Sequence, residues 1–520
     1  MGNLIVLIWV VFIFAASVFF GGASFIELIQ NGKLRIDKGF WLSLSACAAA
    51  LLLCLSIGPA FYRVYHDELV FISQSWNILF SGSAGVILKG SRLHPEILAP
   101  WTANPKLPGF ACLEAVVLFL TKDFTHSFFI MNIALGVLSV ALVYRIVWLL
   151  TASHALSWWS AVFLACLPVR ITYSMSAASD IAGLFFFLLF LLFIVEYRGM
   201  PGRRFLYAAI FCGIFSVCIK PFYGILTLAG LAVALSMYRR ERLLDRKAFT
   251  QAWVDIFCLF LPVLCAVPVM FLTDEQKPFS LLFVGRNLQT DIFYLFSNQQ
   301  NTFLTAVAAA AAVGTGIYYR KGGLTALWAG WLVGGLLIIS VFYAGGISYP
   351  GHAYSDRYFL PLAFPFVFLA AQGMVGVLTR PGPKFLGTAF FLILIISAFY
   401  ASKHLTREAK EGFHYQKTLI LKQVLPLVPD EAYMLDACSA LIATISSKKS
   451  IQTELFIHGD HPKEIVFLKG IADDLYNSDE PKNMALVKKI LKAEYRCEPL
   501  TASPVAEPDL SATPFLCVRK

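Results

Sequence analysis

The sequence predicts a polytopic α-helical membrane protein with a small α/β domain at its C-terminal end. Apolar residues make up 58% of its 520 residues and charged residues only 14%, too few to cover a soluble core of this size. Apolar runs of about 18 residues or more, long enough to cross a bilayer, recur as far as residue 400. The chain then becomes polar, so we expect a transmembrane domain at 1–401 and a second domain at 402–520.

The apolar runs predict about twelve transmembrane helices, which would place both termini on the same side of the membrane. The runs occupy residues 3–29, 41–60, 126–150, 155–173, 180–197, 205–219, 222–237, 252–272, 302–319, 324–344, 358–378 and 384–400. A shorter run at 108–121 is interrupted by Glu114 and predicts a surface helix in the first long outer loop. The first run lacks a basic leader and a cleavage site, so we interpret it as a retained helix.

The charges between the runs predict the orientation. With the N-terminus outside, inner connections such as "NGKLRIDKG" and "YRRERLLDRK" are richer in Lys and Arg than the longer outer ones. The net charge of +10 therefore reflects topology signals and not a nucleic-acid-binding surface. We expect a multi-pass protein of the inner (plasma) membrane whose "YHDEL" loop and C-terminal domain face the periplasm or the cell exterior.

The C-terminal region alternates strand-like and helical patterns. Strands are expected at "AYMLDA", "SIQTELF" and "EIVFLKG", and helices at "SALIATISSK" and "KNMALVKKILKAE". Cys497 and Cys517 can pair here if the compartment is oxidising. The other cysteines lack metal-ligand spacing and lie mostly in apolar runs, which is typical of small buried hydrophobic residues.

Three acidic residues are candidates for chemistry. Asp67 and Glu68 follow a span at its outer end, and Asp180 begins a very apolar span on the same face. Ionisable groups near membrane depth are costly and often functional. The alternatives are interfacial charges paired with Arg63 and, for Asp180, a helix N-cap.

Cationic residues are expected on the same face: Lys106, Lys220, Arg286 and Arg357. Each can extend to the interface as a snorkelling side chain, and this is the favoured interpretation for Lys220. Together with the acids they suit one kind of reaction. A phosphate leaving group needs positive donors, and an attacking hydroxyl needs a base.

The sequence lacks the motifs that are typical of several enzyme classes. The chain has no Walker loop, no GxGxxG followed by a strand, no HExxH and no GxSxG. Because nucleotide donors are cytoplasmic and the candidate site faces outward, a phosphate-linked donor would be carried by a lipid.

Five segments in order resemble the GT-C fold glycosyltransferases, in particular the group of protein O-mannosyltransferases and lipid A aminoarabinose transferases. They extend over most of residues 41–400 and read "YHDEL", "NPKLPGF", "LPVRITYSMSAASD", "IKPFYG" and "DRYFLPLAFPFVFLAA". The resemblance implies sugar transfer from a polyprenyl-phosphate donor to an envelope glycan, lipid or protein hydroxyl, with membrane lipids around it. The first span, 3–29, departs from the usual single helix before the acidic loop.

The resemblance also implies residue roles. Asp67 matches the catalytic base, Glu68 the second acid of the mannosyltransferase branch, and Asp180 a third acid. Lys106 matches a ligand of the lipid phosphate, and Arg286 and Arg357 are expected to assist it. Further donor or acceptor contacts are assigned to His66, His94, Lys220, His352 and Tyr358.

Three alternatives stay open at this point. A transporter or lipid flippase also carries membrane ionisable groups, but usually near the midplane and with an internal repeat. A membrane scaffold would not explain the outer acids and bases. No cofactor is required; a divalent ion shared by Asp67, Glu68 and Asp180 is an option, although the similar branch mostly works without a metal.

Overall fold

The computed structural model describes residues 2–32, 36–57, 65–82, 85–91, 95–99, 108–123, 126–199, 203–220, 223, 260–262, 264, 288, 305–309, 312–313, 323–342, 356–378, 385–411, 421–436, 442, 446, 448–468, 480–500 and 514–520. The chain forms two compact units. One comprises Trp9–Phe61 and Phe129–Arg407, and the other comprises Met1–Ile8, Tyr62–Phe128 and Glu408–Lys520. The predicted domain boundary at 401/402 stays a prediction, and the structure groups the first outer segment with the C-terminal region.

The larger unit consists mainly of apolar helices. The helices that contribute to it are α1 (Gly2–Gln30), α2 (Lys38–Ile57), α5 (Ser127–Thr151), α6 (His154–Cys166), α7 (Pro168–Ser174), α8 (Asp180–Gly199), α9 (Arg203–Ile219), α10 (Gly323–Phe342), α11 (Ala363–Leu378) and α12 (Phe385–Glu411). A 3₁₀-helix, Asp356–Leu362, precedes α11. Helices suit this setting because they pair their own backbone groups where water is absent.

Six helices in the described part of the chain are long and apolar enough to cross a membrane. They are Val6–Gln30, Lys38–Ile57, Ser127–Thr151, Asp180–Tyr197, Phe359–Leu378 and Gly387–His404. The protein is therefore a multi-pass membrane protein, as predicted. The predicted spans 222–237 and 252–272 lie outside the described residues except for a few positions, and 302–319 is described only in part.

The predicted span 155–173 is not one straight helix. It divides into α6 and α7, which meet at a bend of 59°. Pro168 begins α7 and has no amide hydrogen, and Leu167 before it is extended with ψ 117°. Arg170 Nη2 donates to the Ala165 carbonyl near the end of α6, which provides a partner for a carbonyl at the break.

The smaller unit contains a sheet with strand order β2-β1-β4-β3-β5-β7-β6 in its described part. The strands are β1 (Val86–Gly90), β2 (Pro95–Ala99), β3 (Tyr433–Asp436), β4 (Lys449–Gln452), β5 (Glu464–Phe467), β6 (Tyr495–Pro499) and β7 (Phe515–Arg519). Its helices are α3 (Tyr65–Ser81), α4 (Gly109–Thr121), α13 (Thr453–Ile457) and α14 (Glu480–Glu494). A small α/β domain is confirmed, although "SIQTELF" is strand only in its first part and continues as α13.

The sheet's two faces carry separate apolar cores. Met434 and Val466 pack on one face with Leu69 and Val70 of α3. Their neighbours in the chain, such as Leu435, pack on the other face with residues of α14. This alternation follows from the period of two in a strand. The sheet therefore holds α3, the helix whose first turn carries Asp67 and Glu68.

Cys497 and Cys517 form a disulfide between facing positions of β6 and β7. From the sequence we expected this pairing only if the domain faces an oxidising compartment. The described cysteines of the membrane helices are free thiols.

Candidate functional site

The start of α8 carries a buried ion pair. Asp180 is the first residue of α8 and is almost completely buried. Lys220, which follows the end of α9, points its ammonium group at the Asp180 carboxylate, and both side chains are largely removed from solvent. Lys220 is therefore not a snorkelling side chain but the partner of a predicted site residue.

Tyr223 completes this group, and the sequence did not identify it as a site residue. Its amide donates to the Lys220 carbonyl at 3.0 Å in the turn after α9, and its hydroxyl donates to the Asp180 carbonyl at 2.9 Å. Its ring lies against Gly183, where a Cβ would be 2.3 Å from a ring carbon. Only glycine permits this approach. The signal in the sequence was the spacing of Lys220 and Tyr223 in "IKPFYG".

Aromatic rings lie beside the ion pair. Phe187 of α8 has its ring centroid 5.9 Å from that of Tyr223 and 5.7 Å from that of Trp331. Trp331 in turn contacts Trp328 and Phe364, so the cluster joins α8 to α10 and α11. Apolar rings lower the local dielectric and strengthen the attraction between Asp180 and Lys220.

The loop before Asp180 is tied to α5 by Asn132. This fully buried amide donates from Nδ2 to the carbonyls of Ser176 at 2.7 Å and Ala178 at 2.9 Å. One turn later, a Cβ at Gly136 would lie 2.1 Å from Ser174 Oγ, so glycine is needed there for α7 to approach α5. Asn132 was missed as a site residue, although an amide inside an apolar run was a usable signal.

The acidic turn of α3 lies in the smaller unit. The backbone of His66, Asp67 and Glu68 forms the first turn of α3, a helix that the sequence analysis did not predict. The side chains of His66 and Asp67 lie outside the described part, whereas Glu68 is fully buried.

A second buried acid faces this helix. Glu114 of α4 is fully buried, and its Oε2 lies 2.8 Å from Ser75 Oγ of α3. Burial raises the pKa of the Glu114 carboxyl well above its usual range, and the nearby Glu68 raises it further. The sequence treated Glu114 merely as an interruption of an apolar run.

The remaining predicted residues are not tested by these contacts. Lys106, Arg286, His94 and His352 lie outside the described residues. Arg357 and Tyr358 are described as backbone in the 3₁₀-helix before α11, without their side chains. The convergence of Asp67 and Asp180 on one pocket stays a prediction.

The described residues contain no group of three or more His, Cys, Asp or Glu side chains arranged to hold a metal ion. Asp67 is outside that statement because its side chain is not described. The described geometry contains two polar arrangements. One is the ion pair of Asp180 and Lys220 at the start of a membrane helix, largely removed from solvent, and the other is the buried Glu114 carboxyl packed against α3. Both arrangements can fix the position of the helix turns that carry the predicted acids.

No protein-family model and no curated protein matches the chain. Solved structures do match. The apo crystal structure of ArnT from Cupriavidus metallidurans has a TM-score of 0.54 and 12% identity and covers 91% of this chain and 97% of its own. The ArnT crystal structure with bound undecaprenyl phosphate has a TM-score of 0.55 and 11% identity over 92% and 98% of the two chains.

Arabinosyltransferase EmbB from Mycobacterium smegmatis matches more weakly, with a TM-score of 0.38 and 13% identity over 72% of this chain and 39% of EmbB. The ArnT matches extend over nearly the whole of both chains, and ArnT is a lipid A aminoarabinose transferase. The chain therefore has the fold of ArnT, the GT-C fold of membrane glycosyltransferases that its five sequence segments resemble.

Proposed function

We propose that this protein is a membrane glycosyltransferase that moves a sugar from a polyprenyl-phosphate donor to an acceptor hydroxyl on the extracytoplasmic face. The observation that carries the proposal is the fold shared with ArnT, one of whose structures holds undecaprenyl phosphate. The sugar would be a hexose, a pentose or an amino sugar. The acceptor would be an envelope glycan, a lipid or a protein.

The proposed reaction is a single displacement. The acceptor oxygen attacks the anomeric carbon, the bond from that carbon to the phosphate oxygen breaks, and polyprenyl phosphate leaves. Asp67 takes the hydroxyl proton. Because the acceptor attacks from the side opposite the leaving phosphate, the anomeric configuration inverts. A positioned base of this kind contributes about 10²–10⁴-fold to the rate.

Cationic residues would hold the leaving phosphate. Lys106 is assigned to this contact, with Arg286 and Arg357 as further donors. Asp180 and Lys220 form a pair at the N-terminus of α8, where the helix dipole favours negative charge. We assign this pair, with Tyr223, to the wall that orients the donor sugar or the acceptor.

The outward orientation is supported by two separate features. The Lys- and Arg-rich connections indicate the cytoplasmic side. The disulfide between Cys497 and Cys517 is typical of a compartment outside the reducing cytosol. Both support a location of the sheet-containing unit in the periplasm or at the cell exterior.

The test uses purified protein in liposomes, a radiolabelled polyprenyl-phosphate sugar and a crude envelope fraction as acceptor. We expect label to move covalently to the acceptor and unlabelled polyprenyl phosphate to be released. Movement of intact donor across the liposome membrane without bond cleavage would instead identify a flippase. The linkage of the product, solved by NMR, checks inversion.

The Lys106→Ala variant tests the phosphate contact separately. Loss of one charge-assisted contact should weaken donor binding by about tenfold. The measurement is donor affinity by equilibrium binding of the labelled lipid, with Lys449→Ala on the sheet as a control for a lysine elsewhere. Unchanged affinity in Lys106→Ala would remove this residue from the phosphate site.

A further inference from the structure

The contact between Glu114 and Ser75 depends on which of the two side chains donates the proton. Ser75 Oγ lies 2.7 Å from the Phe71 carbonyl oxygen and 2.8 Å from Glu114 Oε2. A serine hydroxyl carries a single proton, and a carbonyl oxygen can only accept. If the Ser75 proton is directed at Phe71, the second contact requires the proton to be on Glu114.

The surroundings of Glu114 favour the protonated form. Its side chain is fully buried, and its Oε1 has no hydrogen-bond partner among the described residues. A buried carboxylate without a cation or several donors is costly, and a neutral carboxylic acid avoids that cost. Burial raises the pKa of Glu114 most strongly and the charge of Glu68 raises it too, which outweighs the lowering effect of a hydrogen bond from Ser75.

The titratable neighbours in the described part do not compensate a negative charge. From α3, the element packed against α4, the group that acts on Glu114 is Glu68, which is itself an acid. On α4 itself Cys112 is present, and burial raises the pKa of its thiol to about 12. Neither supplies a positive charge.

We propose that Glu114 is kept as a neutral carboxylic acid whose O–H donates to Ser75, and that this hydrogen bond positions the acidic first turn of α3. The inference rests on the proposed function, since it concerns the helix that carries the proposed base. Leu69 and Val70 hold α3 against the sheet, and Ser75 holds it against α4. Glu114 is thus a positioning residue that acts through α3.

Neutrality also matters for the position of α3. An ionised Glu114 can no longer donate to Ser75, and it adds a buried like charge close to Glu68, so the contact that positions the turn is weakened. Transfer should therefore fall at alkaline pH, when Glu114 loses its proton. Transfer should also fall at acid pH, for a different reason: a protonated Asp67 cannot accept the hydroxyl proton.

The folding equilibrium provides a test that needs no substrate. The folded protein binds the Glu114 proton more tightly than the unfolded chain does. This contribution to stability is therefore complete below the ordinary glutamic acid pKa and is lost as pH rises towards the raised value. Glu114→Gln is neutral at every pH and can donate from its amide, so it should lack this pH dependence.

The experiment compares wild type with Glu114→Gln, Glu114→Ala and Leu118→Ala. Leu118 is a buried apolar residue one turn away on α4, so its truncation reports lost packing alone. The readouts are the infrared carbonyl band of a protonated carboxyl at neutral pH, unfolding against pH, and transfer against pH.

We expect the infrared band in wild type and Leu118→Ala and its loss in Glu114→Gln. Glu114→Gln should keep transfer close to wild type and lose the alkaline fall, whereas Glu114→Ala should lower kcat by about 10- to 100-fold through misplacement of the turn. Leu118→Ala should lower stability and keep the alkaline fall.

Absence of the protonated band in wild type, or a loss in Glu114→Gln as large as in Glu114→Ala, would overturn the proposal, because Glu114 would then act as a carboxylate. If wild type shows the protonated-carboxyl band but transfers no sugar, the proposed function is contradicted and the neutral form of Glu114 is still supported.

Discussion

The two units of the molecule bury acidic residues in opposite ways. In the helical unit, Asp180 faces the ammonium group of Lys220 in an ion pair. In the sheet-containing unit, Glu114 faces a serine and another acid, and it is stabilised as a neutral group. The comparison teaches that two buried carboxyls can have opposite surroundings, a cation beside Asp180 and a hydroxyl with a second acid beside Glu114.

The units also differ in how they are held together. Helices of the membrane unit form hydrogen bonds within their own backbone. A few polar contacts, such as that of Asn132, connect them to neighbouring segments. The sheet unit depends on two apolar cores and a disulfide. Substitutions in the two units should therefore destabilise the protein through different mechanisms.

The largest expected effect separates the proposed base from the acids that hold structure. Asp67→Asn should lower transfer by about 10²–10⁴-fold because the amide cannot accept the hydroxyl proton. Donor binding and the unfolding temperature should stay at wild-type values. Turnover of labelled donor is the measurement, with Asp430→Asn, an exposed carboxyl of the same unit, as the control.

Near-normal turnover in Asp67→Asn would assign the base role to another residue. A loss of folding in that variant would instead place Asp67 with the structural acids.

A second prediction tests the charged state of the membrane pair. Asp180→Asn or Lys220→Met alone should cost about 3–5 kcal/mol of stability, because each leaves the other charge buried without its partner. The double variant should cost less than the sum of the two. SDS-induced unfolding in mixed micelles measures all four proteins of this cycle. Additive costs would show that the two side chains do not interact.

The disulfide provides a prediction for the sheet unit. Cys497→Ala with Cys517→Ala opens a link across a sequence separation of 20 residues and should cost about 3 kcal/mol. The effect should appear as faster proteolysis of the chain after Glu408, with the helical unit intact. Alkylation of both residues in native protein without reductant would contradict the pairing and, with it, the argument for an oxidising compartment.

The smallest effect is expected for the loop before Asp180. Asn132→Ala removes two hydrogen bonds to the Ser176 and Ala178 carbonyls and should cost about 1–3 kcal/mol. If the loop positions Asp180, the variant should also change kcat more than the affinity for donor. Ser160→Ala, a buried hydroxyl on α6, is the matched control. A stability loss with unchanged kcat would limit Asn132 to a structural role.

Local patterns predicted the membrane helices well. α8 begins at Asp180 because a long apolar run follows an acid that suits a helix N-terminus, and α2 and α5 likewise match their apolar runs. The break at Pro168 was equally local and could have been predicted from the proline itself.

Contacts between distant residues could not be predicted in this way. The ion pair joins Asp180 and Lys220, which are 40 residues apart in sequence, and Ser75 meets Glu114 through the packing of α3 on α4. β1 and β2 were missed because β1 pairs with β4, a strand more than 300 residues later. β6 and β7 were missed, although "YRCEP" alternates apolar and polar residues and was a usable signal, whereas "FLCVR" begins with four apolar residues and does not alternate.

The inclusion of β1 and α3 in the C-terminal sheet has a consequence for biogenesis. A ribosome releases residues 65–90 long before it makes the strand to which β1 binds, Lys449–Gln452. Until then, Leu69 and Val70 have no sheet to cover them, and the acidic turn is unsupported. A chain truncated after α12 would lack the strand that supports the acidic turn, and expression of the C-terminal fragment alone would leave an unprotected strand edge prone to association.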